Sequence, residues 1–103
     1  NEYLVISYII IINYIIMKTF KQKFNEKHDQ PKDTSNSIKK IAKLSKIKYT
    51  NALKIVKKGR GAFVSNRASV RPNIKSATAW GYSRLYSAVM GGKAAKIDKD
   101  LLK

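Results

Sequence analysis

Between Thr34 and Ile97 the chain carries fifteen Lys and Arg residues and no Asp or Glu in 64 residues. Ion pairs within such a stretch cannot neutralise it. Its elements must therefore bury an apolar side and turn a basic side outward, toward solvent or a polyanion. The acids lie outside, at Glu2, Glu26, Asp29, Asp33, Asp98 and Asp100. At 103 residues and a net charge of +16, the chain suits one small domain and a polyanionic partner. It has no Cys, which excludes a disulfide framework or a thiolate metal site, and His28 alone cannot hold a metal. No metal or cofactor is expected.

The opening, NEYLVISYIIIINYII, is unlike the rest, and three readings of it compete. As a membrane span, the run from Tyr3 to Met17 falls short of the roughly 20 apolar residues needed, and Asn13 interrupts it. As a signal peptide it lacks a basic start and a small-residue cleavage site. In the third reading it is untranslated AT-rich sequence: Ile, Asn and Tyr, which have codons of A and T only, fill 12 of these 16 positions, and Met17 is the true start. A real anchor would place the segment after it on the cytoplasmic side through Lys18, Lys21 and Lys23. Residues 18–36 have little apolar content beyond Phe20 and Phe24, and read as a basic, flexible lead-in ending in a Pro31 linker. The domain is expected over 37–103.

From Ser37, a plausible N-cap, the pattern is helical. Ile38, Ile41, Ala42 and Ser45 share one face, Leu44 flanks it, and Lys39, Lys40 and Lys43 lie opposite. After a break at Lys46–Tyr49, Thr50 is expected to cap a second helix. Ala52, Leu53, Ile55 and Val56 form one side of it, and Asn51, Lys54, Lys57 and Lys58 the other. Gly59 and Gly61 are expected to stop it. The pair has a helix-turn-helix outline: Ala42 sits at the close approach, Ile47 tucks inward, and Lys46 stands where glycine is usual. Its second helix would offer Lys48, Tyr49, Asn51, Lys54 and Lys58 to a groove.

Residues 62–76 read as a loop, since Arg71 precedes Pro72. Arg67, Arg71 and Lys75 make it a basic arm suited to a phosphate backbone, or a solvated connection. Ser76 then caps a helix ended by Gly91 and Gly92 and apolar nearly all round, which marks it as the central, Trp80-containing helix. Arg84 is its one charge. A buried guanidinium needs a partner, and Asp98, Asp100 or a bound phosphate are the candidates. The MGGKAAK run lacks the spacing of a phosphate loop and reads as a helix C-cap. The fold expected is an all-α small helical bundle.

GRGAF (59–63), SVRPN (69–73), AWGYSRLYSAVMGGKAAKID (79–98) and the closing DLL resemble a small basic protein family of unknown function in phages and large DNA viruses. The resemblance covers roughly residues 38–102 and is specific in its second half; before Gly59 it is looser. It implies a viral or phage origin, and hence a virion or infected-cell nucleoprotein, but brings no catalytic residue.

The function expected is nucleic-acid binding, mainly through phosphates, with DNA favoured over RNA. Lys39, Lys40, Lys43, Lys48, Tyr49, Asn51, Lys54, Lys57, Lys58, Arg60, Arg67, Arg71, Lys75, Arg84 and Lys93 are the candidate contacts. The alternative is a virion structural protein docking on an acidic protein, or on an anionic membrane if residues 1–17 are real. An enzyme is not expected, because residues 34–97 contain no His, Cys, Asp or Glu for acid–base work. Monomer and dimer both remain open.

Overall fold

A computed structural model describes residues 19–65, 74 and 76–103. It is all-α, as the periodicity predicts. Among the described residues there are five α-helices and no strand: α1 Phe20–Lys27, α2 Ile38–Ser45, α3 Tyr49–Ser65, α4 Ala77–Val89 and α5 Lys93–Ile97, followed by a 3-10 turn at Lys99–Leu101. The apolar helix α4 packs against α1, α2, α3 and α5, most extensively against α3. Its Leu85 is fully buried among Phe24, Ile41 and Ile55 in the core cluster. Burying a leucine side chain contributes roughly 1.5–3 kcal/mol.

Within the lead-in expected over 18–36, the described residues 19–36 instead contribute to this core. Thr19 starts α1 with a capping box: its Oγ1 accepts from the Gln22 amide at 3.1 Å, and Gln22 Oε1 accepts from the Thr19 amide at 3.2 Å. Phe24 is fully buried, edge-on to Tyr86 of α4 at 5.4 Å between ring centroids. Asn25 and Asn36, which resemble linker residues, are buried and tie the following loop. Asn25 Nδ2 donates to the carbonyls of Lys32 and Thr34 at 2.9 and 3.0 Å, and Asn36 Nδ2 donates to Asn25 Oδ1 at 2.8 Å and to the Tyr86 hydroxyl at 3.1 Å. Gln30 Nε2 donates to both asparagine side-chain oxygens. Such a knot is stable only when satisfied throughout, and no buried side-chain polar atom described lacks a partner.

Three helices leave through a left-handed residue. Asp29 (φ 56°), Lys46 (φ 59°) and Gly91 (φ 77°) follow α1, α2 and α4. At each, the next residue's amide reaches back to close the last turn: Gln30 to Asn25 O at 2.8 Å, Ile47 to Ala42 O at 3.0 Å and Gly92 to Ser87 O at 2.7 Å. Only Gly91 is the residue type that favours this conformation. The ends of these helices meet around a groove of about 450 Å³, with Lys27, His28 and Lys46 beside Ile47, Val89 and Met90.

Two boundaries differ from the sequence reading. Thr50 does not cap α3, which begins at Tyr49; the amides of Asn51 and Ala52 bond to the Lys48 carbonyl at 3.1 and 3.0 Å. Gly59 and Gly61 do not stop α3, which runs on to Ser65, so residues 62–65 are helical and Phe63 is buried. Gly59 serves the packing. A Cβ there would lie 2.7 Å from Gly81 Cα, and one on Gly81 would lie 2.7 Å from the Val56 carbonyl oxygen. The two glycines let α3 and α4 approach at a distance no side chain would permit.

After the Gly91–Gly92 exit, the short helix α5 returns the chain toward α4, with the Ala94 amide donating to Ser87 Oγ at 3.3 Å. The 3-10 turn contacts α3. There the Lys48 amide donates to the Lys103 carbonyl at 2.7 Å, pinning the last residues to the start of α3.

Candidate nucleic-acid interface

Helical phase separates the cations of α2 from its core residues. Ile41 and Ala42 are buried, whereas Lys39, Lys40 and Lys43 are exposed on the outer side. On α3, Ala52, Ile55, Val56, Gly59 and Phe63 are buried, and Lys54, Lys57 and Arg60 are exposed. At 1.5 Å per residue, Lys54 to Arg60 covers about 9 Å of helix. Arg60 lays its stem beside Gly81, since its Cγ would be 3.2 Å from a Cβ there. The residue as a whole is exposed. None of these six cations has a carboxylate within 4.0 Å among the described residues.

Arg84 and Lys58 are differently placed. Asp98 follows α5 with its side chain fully buried. Its Oδ2 accepts from Arg84 Nε at 2.8 Å, and its Oδ1 accepts from Arg84 Nη2 at 3.0 Å and from Lys58 Nζ at 3.3 Å. Burial alone would push this carboxyl upward. The Arg84 hydrogen bonds and charge, supported by Lys58, outweigh burial and hold it below the ordinary carboxylate value. Hydrogen bonding to Asp98 likewise raises Arg84, against the opposing effect of burial. Of the partners considered for Arg84, Asp98 is the one it contacts, so its guanidinium is engaged within the fold. Lys58, at 52% side-chain exposure, shares that carboxylate and is only partly open.

The start of α3 is also partly engaged. Lys48 is exposed and Tyr49 is 47% exposed, but Asn51 Nδ2 donates to the Lys103 carbonyl at 3.4 Å. The side chain best suited to reading a base edge is thus turned to the chain's own C-terminal segment. Lys93, exposed at the first position of α5, lies away from the α2 and α3 faces in sequence. Arg67, Arg71 and Lys75, the expected arm, lie outside the described residues.

Sequence reasoning did not find the cleft of about 420 Å³ between α1, the Ser35–Asn36 loop and α4, lined by Lys21, Tyr82, Ser83 and Tyr86 among others. The signal was present: Ala79, Tyr82, Ser83 and Tyr86 follow the i, i+3, i+4, i+7 spacing of one helix face. Among the described residues no group of three or more His, Cys, Asp or Glu is arranged to hold a metal ion. No helix among them is long and apolar enough to cross a membrane; residues 1–17, on which the anchor reading rests, lie outside them.

The chain matches no family model, no curated protein and no solved structure.

Proposed function

We propose that the chain is a small nucleic-acid-binding protein that holds the phosphate backbone through the basic outer faces of α2 and α3. The observation that carries this reading is the unpaired state of Lys39, Lys40, Lys43, Lys54, Lys57 and Arg60, all exposed and without a carboxylate partner among the described residues. A duplex carries one charge per roughly 1.7 Å of axis, so it neutralises such faces where intramolecular pairing cannot. Lysines on a helix face contact phosphates and position a protein without reading sequence. The engagement of Asn51 with Lys103 O favours that mode over base readout. The resemblance to the phage and large-DNA-virus family favours DNA over RNA and extends the reading to packaging or coating of viral DNA, in the virion or in infected-cell nucleoprotein. No catalytic step is assigned.

The test is a salt titration of binding by fluorescence anisotropy, using the full chain with duplex DNA, single-stranded DNA and RNA of equal length. With about six phosphates contacted, log K falls against log salt with a slope near −5 on duplex DNA. Weak binding indifferent to salt on all three would contradict the reading and turn it toward an acidic protein partner.

A further inference from the structure

The face of α4 carrying Ala79, Tyr82, Ser83 and Tyr86 forms one wall of the second cleft, with Ala79 exposed and Tyr82 and Ser83 half-buried. Its polar side chains can all donate, and Lys21 adds a positive charge. Lys21 supplies an ammonium from α1, and Ser35 and Ser83 supply hydroxyls. The Tyr86 oxygen accepts from Asn36 Nδ2 at 3.1 Å, and the hydroxyl's own proton has no acceptor among the described residues. Burial, partly offset by that hydrogen bond, raises the Tyr86 phenol above its usual value, so it stays protonated and able to donate at neutral pH. Among the described residues, no carboxylate lines the cleft. A ligand that brings acceptors or negative charge suits this lining. Tyr82, half-buried with part of its ring against the core, adds an aromatic wall suited to a planar group.

We propose that this cleft takes the base of an unpaired nucleotide against Tyr82, with Tyr86 and Ser83 donating to its acceptors and Lys21 holding the adjoining phosphate. A base inside a duplex cannot enter, whereas a splayed single-strand base can, and stacking on an aromatic side chain is tolerant of sequence. The volume, about 420 Å³, lies within the range of small-ligand sites. The proposal rests on the nucleic-acid reading above and adds a second mode to it: phosphate contact on α2 and α3 for any strand, and base capture on α4 for single strands only.

The probe is a 12-nucleotide single strand with 2-aminopurine at its centre, as DNA and as RNA, titrated with the full chain at fixed salt beside a duplex of the same sequence. The wild-type chain should quench the 2-aminopurine fluorescence on binding the single strand. Tyr82→Leu should abolish the quenching and weaken single-strand binding about tenfold, leaving duplex affinity and its salt slope unchanged. Ala79→Leu, at an exposed position facing the cleft, should block base entry with the same selectivity and covers the case in which Tyr82→Leu folds poorly. If both variants retain quenching and single-strand affinity while the salt slope stays steep, the cleft proposal is overturned and the phosphate reading stands. Equal weakening on single strand and duplex also overturns it, since that marks a structural role. If the wild-type chain binds no nucleic acid at any salt, both readings fall.

Discussion

Arg84 grips Asp98 through two hydrogen bonds, 2.8 and 3.0 Å long, from the middle of α4 to the residue just after α5. The carboxylate is fully enclosed, and Lys58 of α3 reaches the same Oδ1. One acid thus joins three helices in a molecule otherwise crowded with cations. It engages Arg84 fully and leaves Lys58 only partly open.

Removing that acid should be costly. Asp98→Asn leaves the Arg84 guanidinium, 19% exposed, without its counter-charge. Breaking a buried pair from one side costs about 3–5 kcal/mol, and the partial exposure of Arg84 places this case near 3. Urea denaturation of the two proteins at neutral pH measures the difference.

The pair also has a pH signature. Asp98 has a lowered carboxyl in the folded state, so it binds its proton less readily folded than unfolded. Its contribution is therefore fully present above the unfolded value, about pH 4, and is lost as pH falls through the folded value below it. The stability gap between wild type and Asp98→Asn should stay constant from pH 7 to about pH 5 and shrink below about pH 4. Repulsion among the lysines acts on both proteins and cancels in the comparison. A gap unchanged down to pH 2 would contradict this assignment.

Two glycines on α3 should answer alanine oppositely. Gly59→Ala places a Cβ against Gly81 Cα, so the helices must separate, at a cost of about 1–3 kcal/mol. Gly61→Ala meets nothing within 4 Å and gains helix propensity, stabilising by about 0.5–1 kcal/mol. Thermal melts of the two variants should move in opposite directions.

Lys46 holds a left-handed backbone (φ 59°, ψ 40°) that glycine adopts without its steric penalty. Lys46→Gly should raise stability by about 1 kcal/mol, read as an increased urea midpoint at unchanged m-value.

The parts of this fold written in local chemistry were legible in the sequence. Ser37 and Ser76 accept from the amides three residues on, at 3.1 and 3.0 Å, as their position before an apolar-periodic run predicts. Gly91 ends α4 as a left-handed glycine should, and Asp98 was among the partners foreseen for Arg84. What escaped depends on distant residues. Gly59 resembles a helix stop unless Gly81, 22 positions later, is known to lie against it. Asn25 and Asn36 resemble a linker until Tyr86 closes over them. Helix α1 has only Phe20 and Phe24 to bury, and its place in the core is set by α4. On the candidate interface, exposure of the α2 and α3 lysines follows from helical phase. The engagement of Lys58 and Asn51 does not, because their partners, Asp98 and Lys103, are 40 and 52 positions away.

The central claim is that unpaired cations on α2 and α3 hold phosphates. The most direct measurement compares salt slopes on duplex DNA for the wild-type chain and for Lys54→Ala/Lys57→Ala/Arg60→Ala, three exposed positions off the α3 core face. At about 0.9 per phosphate contact, the wild-type slope near −5 should fall in magnitude by about 2.7 in the triple variant, with equal loss of affinity on unrelated sequences. A slope the triple variant leaves unchanged, or a loss confined to one sequence, would contradict the account.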